Sequence, residues 1–179
     1  MKTIILDIDR TLVHSLNYRL VKDEWKEKFE WFDDGINLIT FLRPNVREFI
    51  NFLIDNKSRY KVGIFTAASK EYADFIVDIL FPQVKPSFIY SGIDYDIAKY
   101  NYGKLKAIEY VVDNNVGIKY EDCVMIDDSN AVKRSLGEVC YQIPLFVVCY
   151  DSPQGIFYPA SVEDKELLKV IEWLKEENK

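Results

Sequence analysis

Thr3-Ile4-Ile5-Leu6-Asp7-Ile8-Asp9-Arg10-Thr11-Leu12 begins as an apolar run and turns polar at two aspartates one residue apart. A short, continuous apolar run with polar punctuation fits a strand buried on both faces, as in a parallel sheet. Its carboxyl end would deliver Asp7 and Asp9 to the edge where open α/β sheets bind ligands. Neighbouring carboxylates repel unless a cation or a proton sits between them, and hard oxygen donors partly open to water suit Mg²⁺. Taken alone, the pair fits a solvated loop or a helix cap equally well, so the rest of the chain decides.

Two further runs share the pattern. Tyr60-Lys61-Val62-Gly63-Ile64-Phe65 ends at Thr66, and Cys123-Val124-Met125-Ile126 ends at Asp127. Between the strands lie helical spacings. Pro44 suits a first helical turn, followed by Val46, Phe49, Ile50 and Leu53. Ser69 can cap a helix carrying Tyr72, Phe75, Ile76, Ile79 and Leu80 on one side, with Pro82 beyond its end. Lys104 opens a helix with Leu105, Ile108, Val111 and Val112. Ser87-Phe88-Ile89-Tyr90 reads as a short strand, another strand falls within residues 139–150, and an amphipathic helix runs from about Glu163. Around Asp33-Asp34-Gly35 the turn chemistry predicts a β-hairpin with arms at 25–32 and 36–42. Alternating strands and helices predict an α/β, doubly wound parallel sheet. On that sheet Asp7, Asp9, Thr66 and Asp127 would meet at one edge, with Lys104 arriving from a helix start.

Composition sets the bounds. The 179 residues, 49% of them hydrophobic, suffice for one domain with a sizeable core. A net charge of -6 argues against general nucleic-acid binding. There is neither a signal-peptide pattern at the start nor an apolar stretch long enough for a membrane span, so the reading predicts an intracellular protein of the cytoplasm or nucleus, without membrane contact. Cys123, Cys140 and Cys149 lack paired metal-ligand spacing and lie in apolar stretches, which predicts buried, reduced thiols. His14, the one histidine, reads as structural, and Trp25, Phe29, Trp31 and Phe32 read as packing residues ahead of a substrate platform.

The stretch from Leu6 to Ser15 closely resembles the first motif of the haloacid-dehalogenase superfamily, in its NIF-like, small CTD-phosphatase branch. Similar blocks follow in family order: Leu42-Arg43-Pro44-Asn45-Val46-Arg47-Glu48-Phe49, Ile64-Phe65-Thr66-Ala67-Ala68-Ser69, Asn101-Tyr102-Gly103-Lys104 and Val124-Met125-Ile126-Asp127-Asp128-Ser129. The resemblance implies a single Rossmann-like domain over residues 1–179, with a hairpin insertion at about 16–42 and no large cap domain. It implies a Mg²⁺-dependent phosphomonoesterase. Asp7 would be the nucleophile that forms an aspartyl-phosphate, and Asp9 the general acid, whose backbone carbonyl faces the metal. Thr66, with the N–H of Ala67, would hold the phosphoryl oxygens, and Lys104 would bridge nucleophile and phosphate. Asp127 would complete the metal carboxylates, with Asp128 holding a metal-bound water or the loop.

The expected substrate is phosphoserine or phosphothreonine in a phosphoprotein or phosphopeptide. Nucleic-acid ends, small phosphorylated metabolites and a silent phosphopeptide-binding module are the alternatives. Two departures stand out: Arg10 occupies a position where the branch often has an acidic residue, and residues 66–104 lack the Arg and Cys pattern of the small CTD phosphatases.

Overall fold

The structure, a computed structural model, describes residues 1–148 and 161–177. In chain order its elements are β1 (Lys2–Leu6), β2 (Val13–Asn17), α1 (Asp23–Lys28), β3 (Trp31–Asp33), β4 (Leu38–Leu42), α2 (Val46–Asp55), β5 (Tyr60–Phe65) and α3 (Lys70–Leu80). They continue with β6 (Ile89–Tyr90), α4 (Gly92–Tyr102), α5 (Ile108–Asp113), β7 (Cys123–Asp127), α6 (Asn130–Leu136), β8 (Cys140–Gln142) and α7 (Glu166–Glu176). They divide into two compact units, Met1–Ile8 with Leu53–Ile143, and Asp9–Phe52 with Pro144–Lys179.

The first unit is the α/β layer that the apolar runs predict. Its five strands are all parallel, in the order β6-β5-β1-β7-β8. The chain builds outward from β1 on one side, then crosses to the other, so the order of winding reverses between β1 and β7. Ile4, Ile5 and Leu6 are fully buried because helices cover both faces of a parallel sheet. Phe88 fills the place where a side chain on Gly63 would stand: a Cβ there would lie 2.0 Å from its ring. Helix α3 begins as expected, with Ser69 Oγ accepting the Tyr72 N–H at 3.3 Å. Its buried stripe, however, is Ala73, Ile76, Val77 and Leu80; Tyr72, Phe75 and Ile79 are only half-buried, so the helix is rotated from the face their bulk suggests.

Two corrections concern residues 92–113. A full helix, α4, occupies a stretch the sequence reading leaves unassigned; Ser91 and Asp94 close a capping box at its start, and Gly103 ends it in the left-handed conformation at φ 64°. Lys104 therefore opens no helix: the next one, α5, starts at Ile108.

The second unit contains an antiparallel sheet of order β2-β4-β3, with Val13 opposite Leu42 and Phe32 opposite Thr40. The turn between β3 and β4 falls at the predicted Asp-Asp-Gly. Asp34 Oδ1 accepts the N–H groups of Ile36, Asn37 and Leu38 at 2.8–2.9 Å, and those bonds hold its carboxyl below the usual range. The predicted first arm is wrong over most of its length: residues 23–28 form α1, and only Trp31–Asp33 pair. The alternative to a long strand is local burial of aromatics. Trp25 and Phe29 pack edge-on against Phe41, and Phe29 against Phe146. Strand β2, absent from the sequence reading, supplies the third strand, and its His14 is buried, with Nδ1 accepting the Val148 N–H at 3.1 Å.

Arg43 is fully buried. Its guanidinium donates to Asp164 Oδ2 at 2.9–3.0 Å, to the Thr11 carbonyl at 3.1 Å and to the Pro144 carbonyl at 2.8 Å. Cys123 and Cys140 are free and buried, and burial pushes their thiols up to about 11 and about 12; Cys149 lies outside the described residues. No helix among the described residues is long and apolar enough to cross a membrane.

Candidate active site at the carboxyl ends of the parallel strands

Parallel register places the polar residues after β5, β1 and β7 at one edge. Leu6 is level with Ile64 on one side and Ile126 on the other, so Asp7 stands level with Phe65 and Asp127. The Asp7 N–H donates to the Ile126 carbonyl at 3.0 Å, carrying the ladder one residue past β1. This is the β1/β7 boundary where the winding reverses, the crevice in which doubly wound sheets bind ligands.

Asp7 and Asp127 are both buried, and one ammonium joins them. Lys106 Nζ lies 2.6 Å from Asp7 Oδ1 and 2.5 Å from Asp127 Oδ2. Asp127 Oδ1 accepts the Ser129 N–H at 2.8 Å, which fixes the carboxylate plane. Lys106 itself has φ 50°, a left-handed conformation that costs energy in any residue but glycine and is found where a site over-determines it. Burial pushes the Asp7 carboxyl up to about 7, with Lys106 pulling it back and Asp127 pushing it further. Burial also acts to lower the Lys106 pKa, but the two carboxylates outweigh it and hold the ammonium above its usual range.

Asp128, half-buried, adds a third acid. One oxygen from each of Asp7, Asp127 and Asp128 lies within 4.8 Å of the others. The three carboxylates beside the Lys106 ammonium form an all-oxygen donor set, which fits Mg²⁺. Thr66 is buried at the end of β5, its N–H donating to the Tyr90 carbonyl at 2.9 Å. Its Oγ1 accepts the Ala68 N–H at 3.2 Å, so the hydroxyl proton points elsewhere and can be donated. Ala67 beside it is exposed.

Lys104 is not at this cluster. Its side chain, 38% exposed, is ion-paired with Glu109. The lysine that meets the carboxylates is Lys106, two residues on. Both flank Leu105 in a loop without periodicity, and Glu109 lies within five residues of either, so nothing in the local sequence chooses between them. Asp9 is half-buried and is the first residue of the second unit, where it bridges to Val13.

Three comparisons bear on this arrangement. The sequence profile of the NLI interacting factor-like phosphatases matches residues 2–179. The CTD phosphatase-like protein 355R of Invertebrate iridescent virus 3 is 32% identical, over 94% of this chain and 92% of its own length. Its counterpart in Invertebrate iridescent virus 6 is 30% identical, over 85% and 90%. Among solved structures, Fcp1, described as an essential RNA polymerase II CTD phosphatase, superposes with a TM-score of 0.59 at 19% identity. That match covers 98% of this chain but only 50% of the Fcp1 chain, so it shows the shared fold.

Proposed function

Because the chain belongs to the NLI interacting factor-like phosphatases, a branch of the haloacid-dehalogenase type, we propose that it hydrolyses phosphomonoesters through an aspartyl-phosphate on Asp7. The observation that carries this reading is the buried Lys106 between Asp7 and Asp127 at the carboxyl ends of β1 and β7. A carboxylate is a weak nucleophile toward a dianionic phosphate, and its attack requires positive charge beside both.

An Asp7 oxygen attacks phosphorus while the bond to the leaving oxygen breaks, and Asp9 gives that oxygen its proton. Asp9, now ionised, takes a proton from water as the water oxygen attacks the same phosphorus; the bond to Asp7 breaks and phosphate leaves. Lys106 draws Asp7 toward its ionised form and orients it. The Thr66 hydroxyl donates to a phosphoryl oxygen, where charge accumulates. Asp7, Asp127 and Asp128 would hold Mg²⁺, which supplies Lewis-acid charge neutralisation when bound.

The substrate class proposed is phosphoserine or phosphothreonine in a protein, in keeping with the descriptions of the viral relatives as CTD phosphatase-like. The test is hydrolysis of p-nitrophenyl phosphate with Mg²⁺ and with excess chelator, then a panel of phosphopeptides, 3′-phosphorylated oligonucleotides and sugar phosphates. Mg²⁺-dependent turnover with the highest kcat/KM on phosphopeptides is expected. Full activity in chelator overturns the metal assignment, and a preference for sugar phosphates overturns the substrate class.

A further inference from the structure

The carboxyl ends of the strands carry the chemistry, and the amino ends of the same sheet carry a groove of about 280 Å³. It lies where β1 and β5 begin, between the end of α2 and the segment after α3. Leu53, Val62, Phe81, Val84 and Pro86 give it an apolar lining. Three lysines, Lys57, Lys61 and Lys85, stand around that lining. Lys85 is ion-paired with Asp78 at 2.5 Å, whereas Lys57 and Lys61 make no ion pair among the described residues. In a chain with net charge -6, three cations around one apolar groove run against the overall balance.

The two chemistries together define what fits. An apolar lining takes a hydrocarbon or aromatic group, and unpaired ammoniums beside it favour negative charge next to that group. The groove is also half-open: Val84 is 39% exposed and Met1, on its wall, 69%. A small ligand is ordinarily buried over most of its surface, which an open groove does not provide. A peptide meets the requirement differently, inserting one side chain and laying its neighbours across the rim. We infer that this groove docks an acidic segment of a partner protein through a single apolar anchor residue. Gly63, Ile64 and Phe65 separate its lining from Thr66, a span of about 13 Å from Val62, so an occupied groove leaves the catalytic edge open. A partner held there would present its other segments to Asp7 at raised local concentration.

The test is fluorescence anisotropy with a labelled peptide of glutamates around one central phenylalanine. Saturable binding that weakens with salt is expected. The Lys57→Glu, Lys61→Glu double variant should lose roughly tenfold or more in affinity. Replacing the peptide's phenylalanine by alanine should cost a similar factor, and p-nitrophenyl phosphate turnover by the variant should stay unchanged. Absent binding, or equal binding by the variant, overturns the proposal. Equal binding of the alanine peptide overturns the anchor. Concentration-dependent dimerisation abolished by the same variant assigns the groove to a second copy of the chain instead, and saturable 1-anilinonaphthalene-8-sulfonate binding without peptide binding assigns it to a small ligand; either result overturns the partner-segment proposal.

Discussion

Among the described residues two cationic side chains are buried, Arg43 and Lys106, and their surroundings differ in kind. Arg43 faces the carboxylate of Asp164 and the carbonyls of Thr11 and Pro144. Its planar donor fork is shared between that carboxylate and two neutral carbonyls, and the cluster ties loops together. Lys106 faces two carboxylates with a third nearby. A cation met by one carboxylate and backbone carbonyls reads as architecture. A cation set among clustered carboxylates has the acidic donors that the proposed phosphatase mechanism needs.

Substitutions can break that contrast. Asp7→Asn removes the proposed nucleophile and should lower turnover of p-nitrophenyl phosphate by roughly 10⁴-fold or more, with circular dichroism unchanged. Normal turnover would end the assignment of Asp7. Arg43→Met should act on stability instead: breaking a buried pair costs about 3–5 kcal/mol, read as a lowered urea midpoint, while the protein that remains folded keeps its kcat. If kcat collapsed while the midpoint held, the architectural reading of Arg43 would fail. Lys106→Met should lower kcat by about 10²–10³-fold, the usual size for one preorganised donor.

His14 gives the contrast a pH axis. Burial, then the positive charge of Arg10, lowers its pKa from 6.5 to about 4. The folded protein thus prefers the neutral ring. Its stabilising contribution is complete above pH 6.5 and is lost as pH falls from 6.5 toward 4, by roughly 3 kcal/mol. A urea midpoint that falls across this window, and falls less in His14→Asn, is the expected result; identical slopes would show that other groups control the acid transition. The smallest effect belongs to Lys104→Ala. An exposed ion pair contributes little, so turnover should change less than about fivefold. A loss as large as that of Lys106→Met would return the catalytic role to Lys104.

Strands and their ends were legible because burial on both faces leaves a simple mark. β1, β5 and β7 appear as apolar runs, and each hands a polar residue to the same edge: Asp7, Thr66 and Asp127. Ser69 marked the start of α3 because its hydroxyl satisfies a helix N–H, a local event. What escaped was decided by distant contacts or by loop conformation. Residues 25–28 look strand-like through their aromatic neighbours, yet lie in helix α1, where Trp25 packs on Phe41, as does Phe29 just after it. Helix α4 has a weakly amphipathic face, with Ile93, Ile97 and Tyr100 exposed, so no clean period announced it. Lys106 was missed for a related reason. Its place depends on a left-handed backbone at a residue type that rarely adopts one, and no sequence period encodes that.

The pair between Arg43 and Asp164 spans 121 positions of sequence. On a ribosome adding about 5–20 residues per second, the arginine is made roughly 6–24 s before its carboxylate. With β1 already made, the other four strands of the parallel sheet, the last ending at Gln142, are translated within that interval. The catalytic edge can thus assemble while the arginine still waits in water for its counterion, and vectorial synthesis finishes the second unit last.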